Sequence, residues 1–215
     1  MSIHTAYVKA IRSAQHFIYI ENQYFIGSSY NWSSHKDIGA NILIPMEIAL
    51  KITDKIRACE RFVAYIVIPM WPEGNPTCAA TQRILFWQNK TMQMMYETIY
   101  KALVEVGLEN EYTPQDYLNF FCLGNREVVS SDSLSTDRSA AANSPQALSR
   151  KSQRFMIYVH SKGMIVDDEN VIIGSANINQ CSMEGLETLR LQWEPTNLII
   201  LGQENYSIHT DSFAL

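Results

Sequence analysis

An α/β fold is predicted by the alternation, along 215 residues, of short β-rich runs with longer stretches of helical period. Two observations carry this. Phe17–Ile20 and Phe62–Ile68 concentrate β-branched and aromatic residues, and the second run stops at Pro69. Around them apolar residues recur at helical spacing: Ala6, Ala10 and Ala14, then Ile84, Trp87, Met95, Ile99 and Leu103. A hydrophobic content of 47% and this length are enough for one domain with a proper core.

In chain order, residues 5–15 read as a helix that leads into the strand Phe17–Ile20, and a long polar loop follows. Met46–Ala58 is the second helix and Phe62–Ile68 a buried strand. The third helix is long and presents Ile84 to Leu103 on one face, with Gly107 as its stop. Leu118–Leu123 is a further strand. Residues 128–150 are rich in Ser, Ala, Asn and Asp and read as an exposed, mobile loop within the domain, because core-like sequence resumes after them. Phe155–Val166 and Val171–Ile173 then read as two strands around the turn Asp167–Asn170.

Bulk properties narrow the function. Seventeen Lys and Arg against 22 Asp and Glu give a net charge of -5, so the chain lacks the global basic field that drives sequence-independent nucleic-acid binding. No nucleic-acid partner is expected. The cysteines, Cys59, Cys78, Cys122 and Cys181, have no metal-binding spacing, and the start of the chain has no signal-like region, which suits reduced thiols in the cytoplasm. No apolar run approaches the roughly 18 residues of a spanning helix, so membrane contact is expected to be peripheral. Tyr30 and Trp32 suit either a lipid interface or packing, and packing is the expected use.

The densest chemistry lies near the C-terminal end. His160-Ser161-Lys162 is followed by Asp167 and by Gly174-Ser175-Ala176-Asn177. In extended chain, residues two apart face the same way, so His160 and Lys162 are expected to point into one pocket over which the glycine turn closes. Imidazole titrates near neutrality and suits proton transfer to a departing alkoxide. The Lys162 ammonium would offset charge on non-bridging phosphoryl oxygens; while protonated it is no metal ligand. Gly174 permits close backbone approach, while Ser175 and Asn177 supply a hydroxyl and an amide donor for the same oxygens. Asp167 completes the catalytic motif but has the opposite parity, and is expected to brace structure. Glu21, Asn22 and Gln23 follow a hydrophobic strand, where α/β sites gather polar groups, and are candidate pocket residues. His35-Lys36-Asp37 repeats three letters of the motif without its spacing and is read as a decoy.

The full pattern His-x-Lys-x4-Asp-x6-Gly-Ser-x-Asn is matched at every position and resembles the signature of the phospholipase D superfamily. Phe17-Ile-Tyr-Ile-Glu-Asn-Gln-Tyr-Phe25, Pro69-Met-Trp-Pro-Glu-Gly74 and Phe120-Phe-Cys-Leu-Gly-Asn-Arg-Glu127 are similar to the plant branch in particular. The resemblance covers about residues 1–185. It implies a layered mixed sheet flanked by helices, the C-terminal catalytic half of such an enzyme. It also implies hydrolysis of glycerophospholipids such as phosphatidylcholine to phosphatidic acid and a free head group through a phosphohistidine. The nucleophilic histidine would belong to a first motif absent from this sequence, and His160 would be the acid. The implied setting is the cytoplasmic face of a membrane. The implied cofactor is Ca2+, with no ligand nameable here; the implied partner is an N-terminal catalytic half or a second copy. A homodimeric phosphodiesterase or nuclease, and an inactive module that binds lipid phosphate, are the alternatives.

Residues 186–215 depart from the family. Relatives continue with a text like Thr-Arg-Asp-Thr-Glu-Ile-Ala-Met-Gly, whereas Leu186-Glu-Thr-Leu-Arg-Leu-Gln-Trp-Glu194 stands here. This segment can be written CTA GAG ACA CTG AGA TTG CAA TGG GAA. One A placed before it regroups the codons into the family text. We hypothesise a one-base deletion upstream of Leu186; resequencing that finds a different nucleotide order would reject it. The shift puts Arg190 where the family has a carboxylate expected to orient the imidazole, and Cys181 stands where an arginine is usual. The tail is expected to pack poorly, with Leu198–Leu201 an aggregation hazard.

Overall fold

The computed structural model describes residues 2–32, 36, 39–126 and 154–183, and the backbone of 199–202. Helix α1 (Ile3–Ser13) begins where the Ser2 side chain accepts the Thr5 N–H. It is followed by β1 (Phe17–Asn22), α2 (Ile44–Arg57), β2 (Val63–Val67) and α3 (Ala79–Glu105). Pro45 opens α2 where its missing N–H costs nothing. Gly107, at φ 74°, ends α3 as expected. Leu108 N–H reaches Leu103 O at 2.9 Å and Gly107 N–H reaches Val104 O at 3.2 Å, so the last carbonyls are satisfied.

The second part supplies β3 (Leu118–Phe121), β4 (Gly124–Arg126), β5 (Arg154–Met156), β6 (Lys162–Val166), β7 (Asn170–Ile173), a short α4 (Gln180–Met183) and β8 (Ile199–Gly202). Six strands form one sheet in the order β3-β2-β1-β6-β7-β8, while β4 and β5 form a separate ladder. Pairs β1–β2 and β2–β3 are parallel, whereas β1–β6, β6–β7 and β7–β8 are antiparallel. This is a mixed α/β layer fold.

Register explains where the core sits. Ile18 opposes Ala64 and Val166, and Ile20 opposes Ile66 and Met164, with Leu118 and Ile172 in the same rows. Residues paired across a ladder share a face, so these side chains form one apolar surface. All of them are buried in a single core with Tyr7 and Ile11 of α1, Ile48, Ile52 and Ile56 of α2, and Met95, Ile99 and Leu103 of α3. On the other face Tyr65 and Phe121 are exposed, and Ile173 is 51% exposed. Among the described residues this face has no helix layer over it, and the cleft described below opens on it.

One expectation is corrected. Phe155–Val166 is not one strand. Phe155 pairs with Asn125 in the small ladder, Lys162 pairs with Asn22 in the large sheet, and residues 157–161 form the irregular connection between the two. The Phe155-facing strand Gly124–Arg126 went unread because its three residues carry no periodic signal. In the tail, the Ile199–Gly202 backbone pairs with β7. The other residues of 184–215, the loop 128–150, His35 and Asp37 lie outside the described residues. Packing claims Trp32, which is 5% exposed and stacks on Trp87 with centroids 4.7 Å apart; Tyr30 is 75% exposed.

Candidate active site

A cleft of about 740 Å3 lies on the open sheet face, at the end where β1 finishes and β6 begins. Its floor comes from Tyr19 and Glu21 of β1, Gly163 and Ile165 of β6, and Val171 and Ile173 of β7; its rim holds Gln23, His160, Lys162, Gly174, Ser175 and Asn177. Parallel β1 and β2 both end here, so the loops after them converge on the same rim.

His160 and Lys162 both line the cleft as expected, although His160 belongs to the irregular connection. His160 is exposed and Lys162 half-buried. The Lys162 ammonium donates to Gln23 Oε1 at 2.8 Å and to the His160 carbonyl at 2.6 Å. Burial holds its pKa below the ordinary lysine value, and the nearby charge of Glu73 works in the opposite sense. Gln23 turns its other end to Tyr158, donating from Nε2 to the phenol oxygen at 2.9 Å, and the Glu73 backbone N–H donates to that oxygen at 3.1 Å.

The Gly174–Asn177 turn is fastened to the exit of β1. Gly174 N–H donates to Lys162 O at 3.0 Å, Ile26 N–H to Ile178 O at 2.9 Å, and Phe25 bridges Ile178. Ser175 is exposed on the cleft wall, and Asn177 lines it with a buried Oδ1 that has no partner among the described residues. Asn22 is corrected: it is fully buried and does not line the cleft. Its Oδ1 instead accepts the N–H groups of Tyr24 (3.2 Å) and Ile178 (3.1 Å), so it holds the turn from behind. Glu21 does line the cleft, and its Oε1 accepts the Tyr19 hydroxyl at 2.6 Å. Burial, then the bond and charge of Glu21, raise the Tyr19 phenol well above its usual value.

Asp167 is placed at the opposite end of β6 from Lys162. It and Asp168 adopt φ of 54° and 58°, a conformation short polar side chains tolerate, in the tight turn closed by Glu169 N–H to Val166 O. Its carboxylate accepts the backbone N–H groups of Gln15 (2.5 Å), His16 (2.7 Å) and Phe17 (2.8 Å), and so fixes the α1–β1 connection. Partial burial raises its pKa, but these three bonds outweigh that and the carboxyl sits below its ordinary value. Its place in the catalytic motif is therefore a structural one, and it touches none of the cleft.

Sequence reasoning missed Tyr158 and Glu73. Tyr158 precedes His160 by the same two-residue step that relates His160 to Lys162, which was a usable signal; for Glu73 the signal was its place in the family-like segment Pro69–Gly74. Among the described residues no three His, Cys, Asp or Glu side chains converge to hold a metal. Glu21 is, among the described residues, the one carboxylate on the cleft lining, and it is engaged by Tyr19. These residues do not fit a calcium site.

The family model for phospholipase D matches residues 1–191. The chain belongs to the phospholipase D family. Phospholipase D beta 1 of Arabidopsis thaliana is 80% identical over 186 residues, covering 86% of this chain and 17% of that protein. Phospholipase D gamma 1 of the same plant is 70% identical over 192 residues, covering 86% of this chain and 22% of its own length. The chain thus spans about a fifth of these relatives. A solved structure, NucT from Helicobacter pylori, aligns over 84% of this chain and 70% of its own with a TM-score of 0.35 and 14% identity, too loose a likeness to bear on the site. In this phospholipase D segment the motif residues divide into two groups: His160, Lys162, Gly174, Ser175 and Asn177 ring the cleft, and Asp167 braces the sheet below it.

Proposed function

We propose that this chain supplies the second-motif half of a phospholipase D site that hydrolyses glycerophospholipids to phosphatidic acid and a free head group. The observation that carries the reading is the Lys162 ammonium, held between Gln23 and the His160 carbonyl on the rim of a cleft that His160 also lines. A histidine of the complementary half attacks phosphorus, forming a P–N bond as the P–O bond to the head group breaks. His160 gives its proton to the departing alkoxide. Neutral His160 then takes a proton from water, whose oxygen bonds to phosphorus as the P–N bond breaks. Lys162 and the Asn177 amide stabilise the charge that spreads over the non-bridging oxygens.

The complementary half is proposed to cover the open sheet face, where exposed Tyr65, Phe121 and Ile173 await an apolar neighbour. Attachment to the membrane is peripheral in this reading, at the cytoplasmic side; among the described residues no helix is long and apolar enough to cross a bilayer. A calcium requirement would rest on ligands outside the described residues.

Head-group release from phosphatidylcholine vesicles, with and without calcium, tests the proposal. The chain mixed with a separately produced first-motif half should release choline, and the chain alone should not. Release by the chain alone that vanishes in His160→Ala would instead mean that two copies build the site. A folded, associated pair that releases nothing would contradict the reading.

A further inference from the structure

We propose that Tyr158 is a substrate-positioning residue whose hydroxyl donates to a non-bridging oxygen of the phosphodiester and, through Gln23, sets the direction of the Lys162 ammonium. The inference rests on reading the cleft as a phosphodiester site. Four hydrogen bonds join five residues in an unbroken line: Glu73 N–H to Tyr158 Oη at 3.1 Å, Gln23 Nε2 to the same oxygen at 2.9 Å, Lys162 Nζ to Gln23 Oε1 at 2.8 Å, and Lys162 Nζ to His160 O at 2.6 Å.

Counting protons along that line gives its purpose. Lys162 has three N–H donors and spends two of them, one on Gln23 and one on the His160 carbonyl. Tyr158 already accepts two hydrogen bonds at its oxygen, so its own O–H can only donate, and among the described residues it has no acceptor. Among the described residues two protons are left uncommitted, one on the ammonium and one on the phenol. The Tyr158 ring centroid lies 6.4 Å from that of His160, so the phenol stands next to the imidazole and to Gln23 and Lys162, which line the cleft, although Tyr158 is not itself on that lining. A phosphodiester monoanion has two equivalent non-bridging oxygens to receive the two protons.

Gln23 makes the arrangement directional. Its carbonyl faces the ammonium and its amide N–H faces the phenol oxygen; turning the amide over would set two donors against each other at one end. The Lys162 ammonium, which can only donate, therefore fixes which way round Gln23 sits, and the Tyr158 oxygen anchors the amide end so that Gln23 holds Lys162 in place. The same oxygen ties down the loop after β2 through Glu73 N–H, so that loop is held to the site by a residue two positions before His160.

The test is titration of the chain with dimethyl phosphate, a soluble phosphodiester without acyl chains, followed by NMR of 15N-labelled lysine side chains. Tyr158→Phe retains the ring and should weaken binding about tenfold, the scale of one hydrogen bond to a charged group. It should also move the Lys162 ammonium resonance while the melting temperature stays near that of the parent. Gln23→Leu, which leaves the Tyr158 ring and hydroxyl in place, should move the same resonance and weaken the same probe. Unchanged binding and an unchanged Lys162 signal in Tyr158→Phe would overturn the role of Tyr158. If Lys162→Ala binds as the parent does, or the parent does not bind at all, the phosphodiester reading falls too; loss in Lys162→Ala without loss in Tyr158→Phe removes the inference alone.

Discussion

His160→Ala is expected to lower head-group release in the assembled site by about 10²–10⁴-fold, the usual contribution of a positioned general acid and base. The size follows from the leaving group. A choline or ethanolamine alkoxide is a strong base, and breaking its bond to phosphorus without a proton supply raises the barrier. His160 sits on the rim of the cleft beside Lys162, and its backbone carbonyl accepts a proton of that ammonium at 2.6 Å. Removing the imidazole leaves that backbone contact in place, so Lys162 and the Gly174–Asn177 turn should keep their positions and vesicle binding should persist. Steady-state release with unchanged vesicle affinity checks this. A fall in turnover that came entirely from lost binding would assign His160 to recognition.

Asp167→Ala is expected to cost about 2–4 kcal/mol of stability while leaving turnover per folded molecule nearly intact. Three backbone N–H groups, those of Gln15, His16 and Phe17, lose a charged acceptor at once, and hydrogen bonds to charged groups are the costly ones to remove. Alanine also tolerates the φ of 54° less well than aspartate. The site is spared because Asp167 and Lys162 lie at opposite ends of a strand about 16 Å long. The sign with pH is definite. The folded carboxyl titrates below its unfolded value of about 3.9, so its stabilisation is complete above that value and disappears as pH falls through the lower, folded one. Urea denaturation at neutral pH should show the gap between parent and variant, and acidification should close it. A variant that is stable but inactive would show that the motif aspartate acts in the chemistry.

Much of the fold was legible because the helices bury one stripe each and the central strands bury one face. The period of Ile84 to Leu103 and the stop at Gly107 correspond to α3, and the strand runs at Phe17 and Phe62 correspond to β1 and β2. What was hidden depends on pairing between distant segments. Whether residues 157–161 continue a strand is decided by Asn125 and Asn22, the partners of Phe155 and Lys162, and no local property of the segment reveals them. The one-sided helix layer is likewise a consequence of register. At the site, residue types and spacing pointed to His160, Lys162, Gln23 and the glycine turn, because their chemistry is local. Asn22 was misjudged because a polar residue after a strand looks the same whether its amide faces a cleft or a buried backbone. Tyr158 was passed over because an aromatic in a β-rich run has an ordinary explanation in packing, and only its two hydrogen bonds distinguish it.

The claim at the centre of this account is that His160 protonates the leaving group, and a change of leaving group tests it most directly. With phosphatidyl-p-nitrophenol, in which p-nitrophenol takes the place of the head group, the departing group is a stable anion that needs no proton. In the assembled site, His160→Ala should release the first equivalent of p-nitrophenol at nearly the parental rate and then stall, since the same imidazole is needed to activate water. An equally deep loss in that first turnover with both phosphatidylcholine and the activated substrate would contradict the assignment of His160 as the acid.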